Sequence, residues 1–282
     1  MRVRLANYFQ HVTSPTQVRL TWFDLIEIGL VVLGFLLYFF VRGAVVDRVD
    51  DALAHARWIV DVQQSLGLFV EPAVNQWTVD AEWRIRLFNA VYFWLDFPLI
   101  VAVGLYWFWR ARRYFTLLRD ALLLSGAIAL VCYWTFPVAP PRYLPEWGFV
   151  DTMEQYANLS YQAQSTEAFV NPFAAVPSLH VGWTLLLAIV IFEYTRSPWW
   201  RSFGLAVPTL QLVAVVATAN HYLFDAVPGV AVALAGYALA VWLQRRGYPR
   251  LSRWLLPAAQ PRPQEAPPGG GRERGQPPRA HV

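Results

Sequence analysis

Three residues in the second half of the chain have the types and spacing that chemistry needs: His180, closing PSLH at 177–180, and His221 and Asp225 in NHYLFDAVPG. Asp225 follows His221 by four positions, which on a helix is one turn along the same side and within reach of an imidazole nitrogen. An imidazole donating one ring N–H to a carboxylate is fixed in one tautomer, and its far nitrogen becomes the better nucleophile. A second histidine can then protonate a departing oxygen. Pro177 and Ser178 suit the first turn of a helix, where unpaired backbone N–H groups and the positive helix end favour an anion. Arg142, in VAPPRYLPEW, offers a guanidinium that can grip two phosphate oxygens at once. Together these residue types describe phosphoryl transfer through a phosphohistidine, which requires neither a metal nor another cofactor. Two imidazoles and a carboxylate can also bind zinc, so a metal site on His180, His221 and Asp225 is the competing reading.

The elements that must position these residues are membrane helices. The chain has 282 residues, 56% hydrophobic, 16% aromatic and only 15% charged, which points to a polytopic membrane protein rather than a soluble one. All 23 basic residues are arginine, so any site that ordinarily uses lysine must manage with arginine. The lone Cys132 forms neither an intrachain disulfide nor a multi-cysteine metal site. Six segments reach the roughly 20 apolar residues that a span requires, at about 22–41, 87–109, 117–136, 178–195, 203–219 and 223–243. The first is long, bulky and without a small-residue cleavage site, and reads as a retained span.

Arginine placement orients the bundle. Arg110, Arg112, Arg113, Arg119, Arg196, Arg201, Arg245 and Arg246 fall in the connections that alternate with the histidine end, while 137–177 carries only Arg142 against Glu146, Asp151, Glu154 and Glu167. Both termini are expected in the cytoplasm of a plasma-membrane protein, with residues 1–21 a cytoplasmic segment and 22–243 the membrane domain. The chain from His180 to His221 goes through the membrane and back, so both histidines and Arg142 should share the extracytoplasmic face. The stretch DRVDDALAHARWIVDVQQSLGLF places Val49, Leu53, Ala56, Val60 and Gln63 or Gln64 at helical spacing, predicting an amphipathic helix on that face, either interfacial or packed on the bundle. Residues 244–282 form a Pro/Gly/Arg-rich tail expected to be disordered, chiefly from Pro257 onward.

PSLH and HxxxD on consecutive spans of a six-helix protein resemble the type-2 phosphatidic acid phosphatase superfamily over about residues 85–243. With FPVAPPRYLP and GFVDT, they look most like the branch that includes inositol phosphorylceramide synthases and actinobacterial relatives. The resemblance implies His221 as nucleophile, Asp225 as its orienting carboxylate, His180 as general acid, and Ser178, its backbone neighbours and Arg142 as phosphate ligands. It argues against a metal at the site. The chain departs from the family pattern where Thr135 takes the place of the first motif's lysine and Ala214 and Val215 take the places of the third motif's Ser-Arg. Asp96, in FWLDFPLIV near the middle of span two, is expensive in a membrane and is expected to be a pocket wall, a proton partner or a buried pair. Asn220, beside His221, is a further pocket candidate. Arg142 could instead anchor its loop to Glu146 or Asp151, and Asp151 reads as a helix cap or turn residue. Asp24 and Glu27 sit near the inner headgroups, and tryptophans at span ends fit an interfacial belt.

The expected fold is thus an all-α, six-transmembrane-helix bundle with an extracytoplasmic amphipathic helix. The expected activity is hydrolysis of a lipid phosphate or diphosphate of polyprenyl or phosphatidate type, using no cofactor. Transfer of a phospho head group to a polyol such as inositol, or a non-enzymatic role as lipid transporter or scaffold, are the alternatives. Expected partners are the amphiphilic lipid phosphate and membrane lipids, with no nucleic acid; the oligomeric state stays open.

Overall fold

The computed structural model describes Leu25, residues 27–34, Leu36, and residues 48–155 and 173–255. Among them every regular element is helical, apart from one parallel bridge between Val138 and Ala174. The helices are α1 (Val49–Ser65), α2 (Glu71–Val79), α3 (Glu82–Trp94), α4 (Phe97–Arg110), α5 (Arg112–Thr135), α6 (Leu179–Tyr194), α7 (Pro198–Ala217), α8 (Ala226–Trp242) and α9 (Tyr248–Leu255), with a one-turn helix at Thr152–Gln155. Four rods are long and apolar enough to cross a bilayer, at Glu82–Arg110, Arg112–Thr135, Pro198–Ala217 and Leu223–Trp254, and the shorter α6 is apolar too. The predicted first span is described only at Leu25, 27–34 and Leu36, which are helical. Asp24, residues 1–21 and 156–172, and the tail beyond 255 lie outside the described residues.

The second span is not one continuous helix, as the sequence predicts, but two, α3 and α4, with Asp96 at the break (φ −101°, ψ −112°). Pro98 explains the restart: it sits in the first turn of α4, where its missing N–H leaves no bond unmade. Asp96 therefore lies at a helix start, where its backbone leaves the helical path and its side chain can reach a neighbouring element.

The bundle interior is built on α8, which packs along α5 and α6. Leu118, Ala121, Leu122 and Ala129 of α5 meet Leu186, Leu187 and Val190 of α6 and Val232, Ala233 and Ala240 of α8. Glycine makes the closest approaches possible, since a Cβ on Gly236 would stand 2.8 Å from the Ala121 carbonyl and one on Gly229 only 2.4 Å from the Ser178 carbonyl. The perimeter is apolar as well, with Val101, Leu105, Val131, Leu205, Leu210 and Leu239 exposed. Residues that would be a liability in water are suited to lipid.

α1 crosses the end of the bundle that carries the long connections. Its buried face is Ala52, Ala56, Ile59, Val60 and Gln63, packed against Val138, Ala139, Leu144 and Tyr222. The stripe is rotated from the predicted one, leaving Val49 exposed and Ala52 buried. Small Ala52 lets the helix backbone come close enough to accept a hydrogen bond from Ala139 N at 3.1 Å. Of the two expected roles, packing on the bundle is the one seen.

At the opposite end lies a buried polar network. Glu27, expected to need only nearby headgroups, is fully buried and accepts a hydrogen bond from Arg119 Nη1. Arg119 also donates to Asp120 Oδ1 from Nη2 at 2.7 Å, and the Tyr248 hydroxyl donates to Asp120 Oδ2 at 2.7 Å. A buried charge without a partner is costly, so the arginine ties the first span and α9 to α5. Residues 244–255, where the sequence predicts the start of a disordered tail, are helical: a π-turn at Leu243–Gly247 leads into α9.

Candidate active site

His221 follows α7, in a turn closed by backbone hydrogen bonds from both Asn220 N and His221 N to the Val215 carbonyl at 3.0 Å. Ala219 takes a left-handed φ of +55°, which reverses the chain so that the histidine turns back over the helix end. The sequence predicts that a regular helix brings His221 and Asp225 together; instead a 3-10 turn at Leu223–Asp225 does so. The Asp225 carboxylate folds back on its own loop, where Oδ2 accepts from Tyr222 N at 2.9 Å and stands 3.2 Å from His221 Nδ1. Asp225 is fully buried and His221 nearly so.

The Ala175 carbonyl, which no side-chain motif announces, accepts from the same His221 Nδ1 at 2.8 Å. It is aimed by the small parallel bridge, in which Val138 N donates to Phe173 O at 2.9 Å and Ala175 N donates to Val138 O at 3.2 Å. With two acceptors facing Nδ1, the proton of neutral His221 sits there and the lone pair is on Nε2. That nitrogen points at His180 Nδ1, 3.3 Å away.

His180 lies in the first turn of α6, and its ring stacks on Tyr92 of α3 with centroids 4.6 Å apart and planes at 29°. Its other nitrogen, Nε2, is 3.5 Å from Asp96 Oδ2, so the break between α3 and α4 delivers a carboxylate to the second histidine. Ser178 is the residue preceding α6. Its N–H donates to the Asp225 carbonyl at 3.1 Å, joining the PSLH segment to the His221 turn, and Gly229 lies directly against its carbonyl. The Ser178 Oγ is buried and makes no hydrogen bond among the described residues, nor does it cap the helix. An unmade bond on a buried hydroxyl is costly, and a phosphate oxygen is one acceptor that would complete it.

Arg142 reaches the same turn from the connection after α5. Its backbone N–H donates to Ala219 O at 3.2 Å, its Nη1 donates to Asn220 Oδ1, and Nε pairs with Asp151 Oδ2 at 3.2 Å. Asp151 meanwhile caps the one-turn helix through its Oδ1, which accepts from Met153 N at 2.9 Å. Its predicted reading as a cap or turn residue describes the geometry, and it orients Arg142 as well. Glu146, the other predicted anchor, pairs with Arg57 instead.

Two more polar side chains support the turn: Glu71, which sequence reasoning missed, and Gln63, which it placed only in the α1 stripe. Fully buried Glu71, near the start of α2, accepts through Oε1 from Leu223 N and from Gln63 Nε2, both at 2.7 Å. Gln63 Oε1 in turn accepts from Phe224 N at 2.8 Å. The amphipathic helix thus buries a glutamine on its apolar face because that glutamine holds the turn carrying Asp225. An acid beside a proline in GLFVEPAV was the available signal. Tyr222 completes the support by donating its hydroxyl to Ala139 O at 3.1 Å. Burial, and after it the Asp225 carboxylate, hold this phenol above its usual range, so it remains a donor.

Comparison with known proteins shows the family of the chain. The family model described as the PAP2 superfamily matches residues 57–239. Over 195 residues the chain is 28% identical to the phosphoinositol dihydroceramide synthase of Bacteroides thetaiotaomicron, covering 61% of this chain and 60% of that protein. This chain therefore spans less than two thirds of that relative's length. No solved structure matches the chain. The matched segment contains both histidines, Asp225, Arg142 and Ser178, and the chain belongs to the PAP2 superfamily.

Proposed function

We propose that the protein transfers a phosphoryl-linked group from a lipid phosphoester through a phosphohistidine on His221. The observation that carries this reading is the arrangement of the two imidazoles: Nδ1 of His221 is committed to Ala175 and Asp225, leaving Nε2 as the nucleophile beside His180. In the first step Nε2 bonds to phosphorus, the bond from phosphorus to the leaving oxygen breaks, and His180 gives that oxygen a proton. In the second, the hydroxyl oxygen of an acceptor attacks phosphorus, its proton passes to His180, and the bond to His221 breaks. Arg142 and the Ser178 turn hold the phosphate oxygens that do not react.

The charge of the site supports a singly charged phosphodiester donor over a monoester or diphosphate. Thr135 stands where family members carry a lysine, and the third-motif positions are buried Ala214 and Val215, which pack the turn and accept its backbone bonds. Cations that would neutralise a more highly charged group are thereby lost, while Asp96 adds a carboxylate. The synthase relative favours an alcohol as acceptor, such as a polyol or a lipid hydroxyl, with water as the competing one. We place the site on the extracytoplasmic face of the plasma membrane and both termini in the cytoplasm, because the arginine-rich connections lie at the other end of the helices.

The test is purified protein in EDTA with phosphatidylinositol, phosphatidic acid and a polyprenyl diphosphate, each with and without inositol or a ceramide, beside His221→Ala. Expected is acceptor-dependent formation of a new phospholipid from the diester, absent in His221→Ala, with an acid-labile phosphoryl adduct trapped on the wild type. Inorganic phosphate from phosphatidic acid or the diphosphate without any acceptor dependence would instead establish hydrolysis. Activity surviving in His221→Ala would sink the mechanism.

A further inference from the structure

We infer that Asp96 is the counter-ion that keeps His180 doubly protonated in the resting protein, so that the general acid is charged before substrate arrives. Three hydrogen-bond contacts and one ion-pair contact carry the inference. His221 Nδ1 faces two acceptors, the Ala175 carbonyl at 2.8 Å and Asp225 Oδ2 at 3.2 Å, so its Nε2 is a bare acceptor. His180 Nδ1, 3.3 Å from that lone pair, satisfies the contact only as a donor. His180 Nε2 faces the Asp96 carboxylate at 3.5 Å, an ion-pair distance at which it too is best protonated. A neutral imidazole carries one N–H, and both contacts are satisfied together only by the imidazolium.

The arrangement mirrors that of the nucleophile. His221 reacts through Nε2 and is held through Nδ1; His180 reacts through Nδ1 and is held through Nε2. After His180 has given its Nδ1 proton to the leaving oxygen, the Nε2 proton stays with Asp96, so the neutral ring has its lone pair on the nitrogen that must deprotonate the acceptor in the second step. Asp96 thus fixes the tautomer for both half-reactions, and Tyr92, stacked on the ring, fixes its plane. Asp96 touches no reacting atom and is a positioning residue. Its place in the chain serves this purpose, since a carboxylate at the α3–α4 break is 13% exposed yet reaches across to α6.

Histidine-labelled protein in liposomes at neutral pH, studied by 15N NMR with the His180 signals identified by their loss in His180→Gln, provides the direct test. In the wild type, two protonated ring nitrogens are expected at His180 and one bare nitrogen at His221. In Asp96→Asn, which keeps the side-chain shape and removes the charge, a bare nitrogen should appear at His180. A bare His180 nitrogen in the wild type, or two protonated ones in Asp96→Asn, would overturn the inference, and the wild-type spectrum decides even where the variant does not fold. Kinetics give a second readout that a purely structural role would not move. In single turnovers that read only the first step, Asp96→Asn should slow release of an alkyl leaving group at least ~10-fold while slowing release of nitrophenolate, which needs no proton, far less. Equal losses on both substrates would also overturn it. The kinetic arm rests on the phosphotransfer reading and the NMR arm does not. A wild type inert on every lipid but doubly protonated at His180 would refute the former alone, and an active wild type with a bare His180 nitrogen would refute only the counter-ion.

Discussion

Replacing Asp225 by asparagine should cost far less activity than loss of a dyad carboxylate ordinarily does, and the geometry says how much less. Asp225 Oδ2 accepts two hydrogen bonds, from Tyr222 N at 2.9 Å and from His221 Nδ1 at 3.2 Å, so an asparagine must put its oxygen there and its NH2 where Oδ1 now lies buried without a hydrogen-bond partner. The Ala175 carbonyl at 2.8 Å remains in place. His221 therefore keeps its proton on Nδ1 and its lone pair on Nε2, and only the charge is lost. A hydrogen bond to a charged acceptor exceeds one to a neutral acceptor by about 1–2 kcal/mol, which at about 1.4 kcal/mol per decade is a loss of roughly 5- to 30-fold in kcat. A dyad whose tautomer flips loses about 10⁴-fold. Asp225→Asn and Asp225→Leu would be assayed side by side for kcat on the best lipid donor, with adduct formation on His221 measured in a single turnover. Asparagine within about 30-fold of wild type, with leucine much lower, is the expected pattern. An asparagine variant falling by about 10⁴-fold would mean that Ala175 does not hold the tautomer, and the assignment of Nε2 as nucleophile would lose its footing.

Other consequences follow from the supporting contacts. Gly229→Ala would place a methyl 2.4 Å from the Ser178 carbonyl, a backbone atom that cannot swing aside, and should lower stability by about 1–3 kcal/mol while displacing the PSLH turn; thermal unfolding in detergent together with turnover would register both effects. Glu71→Ala removes the acceptor shared by Leu223 N and Gln63 Nε2 and should destabilise by about 2–4 kcal/mol. Glu71→Gln, whose amide oxygen can serve both donors, should be milder, and equal melting temperatures for the two variants would contradict this account of the turn. Arg119→Met leaves Glu27 and Asp120 buried without their cation, and a loss of about 3–5 kcal/mol is expected. Because that network lies at the other end of the bundle, kcat per folded molecule should be unchanged.

Much of the architecture was legible in the residues alone, because a bilayer leaves a chain few choices. Backbone polar groups must be satisfied within each span, so long apolar runs become helices, and helices alternate direction. That logic brought His180 of PSLH and His221 to one end of the molecule before any contact was known, and the pairing of His221 with Asp225 needed only a separation of four residues. Other features were decided by tertiary structure, since they depend on contacts between segments far apart in sequence that leave no local periodicity. Asp96 reads as a misplaced acid in a span until the break at α3–α4 turns it toward His180. Gln63 reads as an imperfection in an apolar stripe until it is found holding Phe224. Glu27 reads as an interfacial acid until Arg119 is seen to bury it. Ala175 carries no side-chain signal at all, since what it contributes is a carbonyl oxygen that the Val138–Ala174 bridge aims at His221. Periodicity records which face of an element is buried; which polar group meets which inside the bundle follows only when the helices pack.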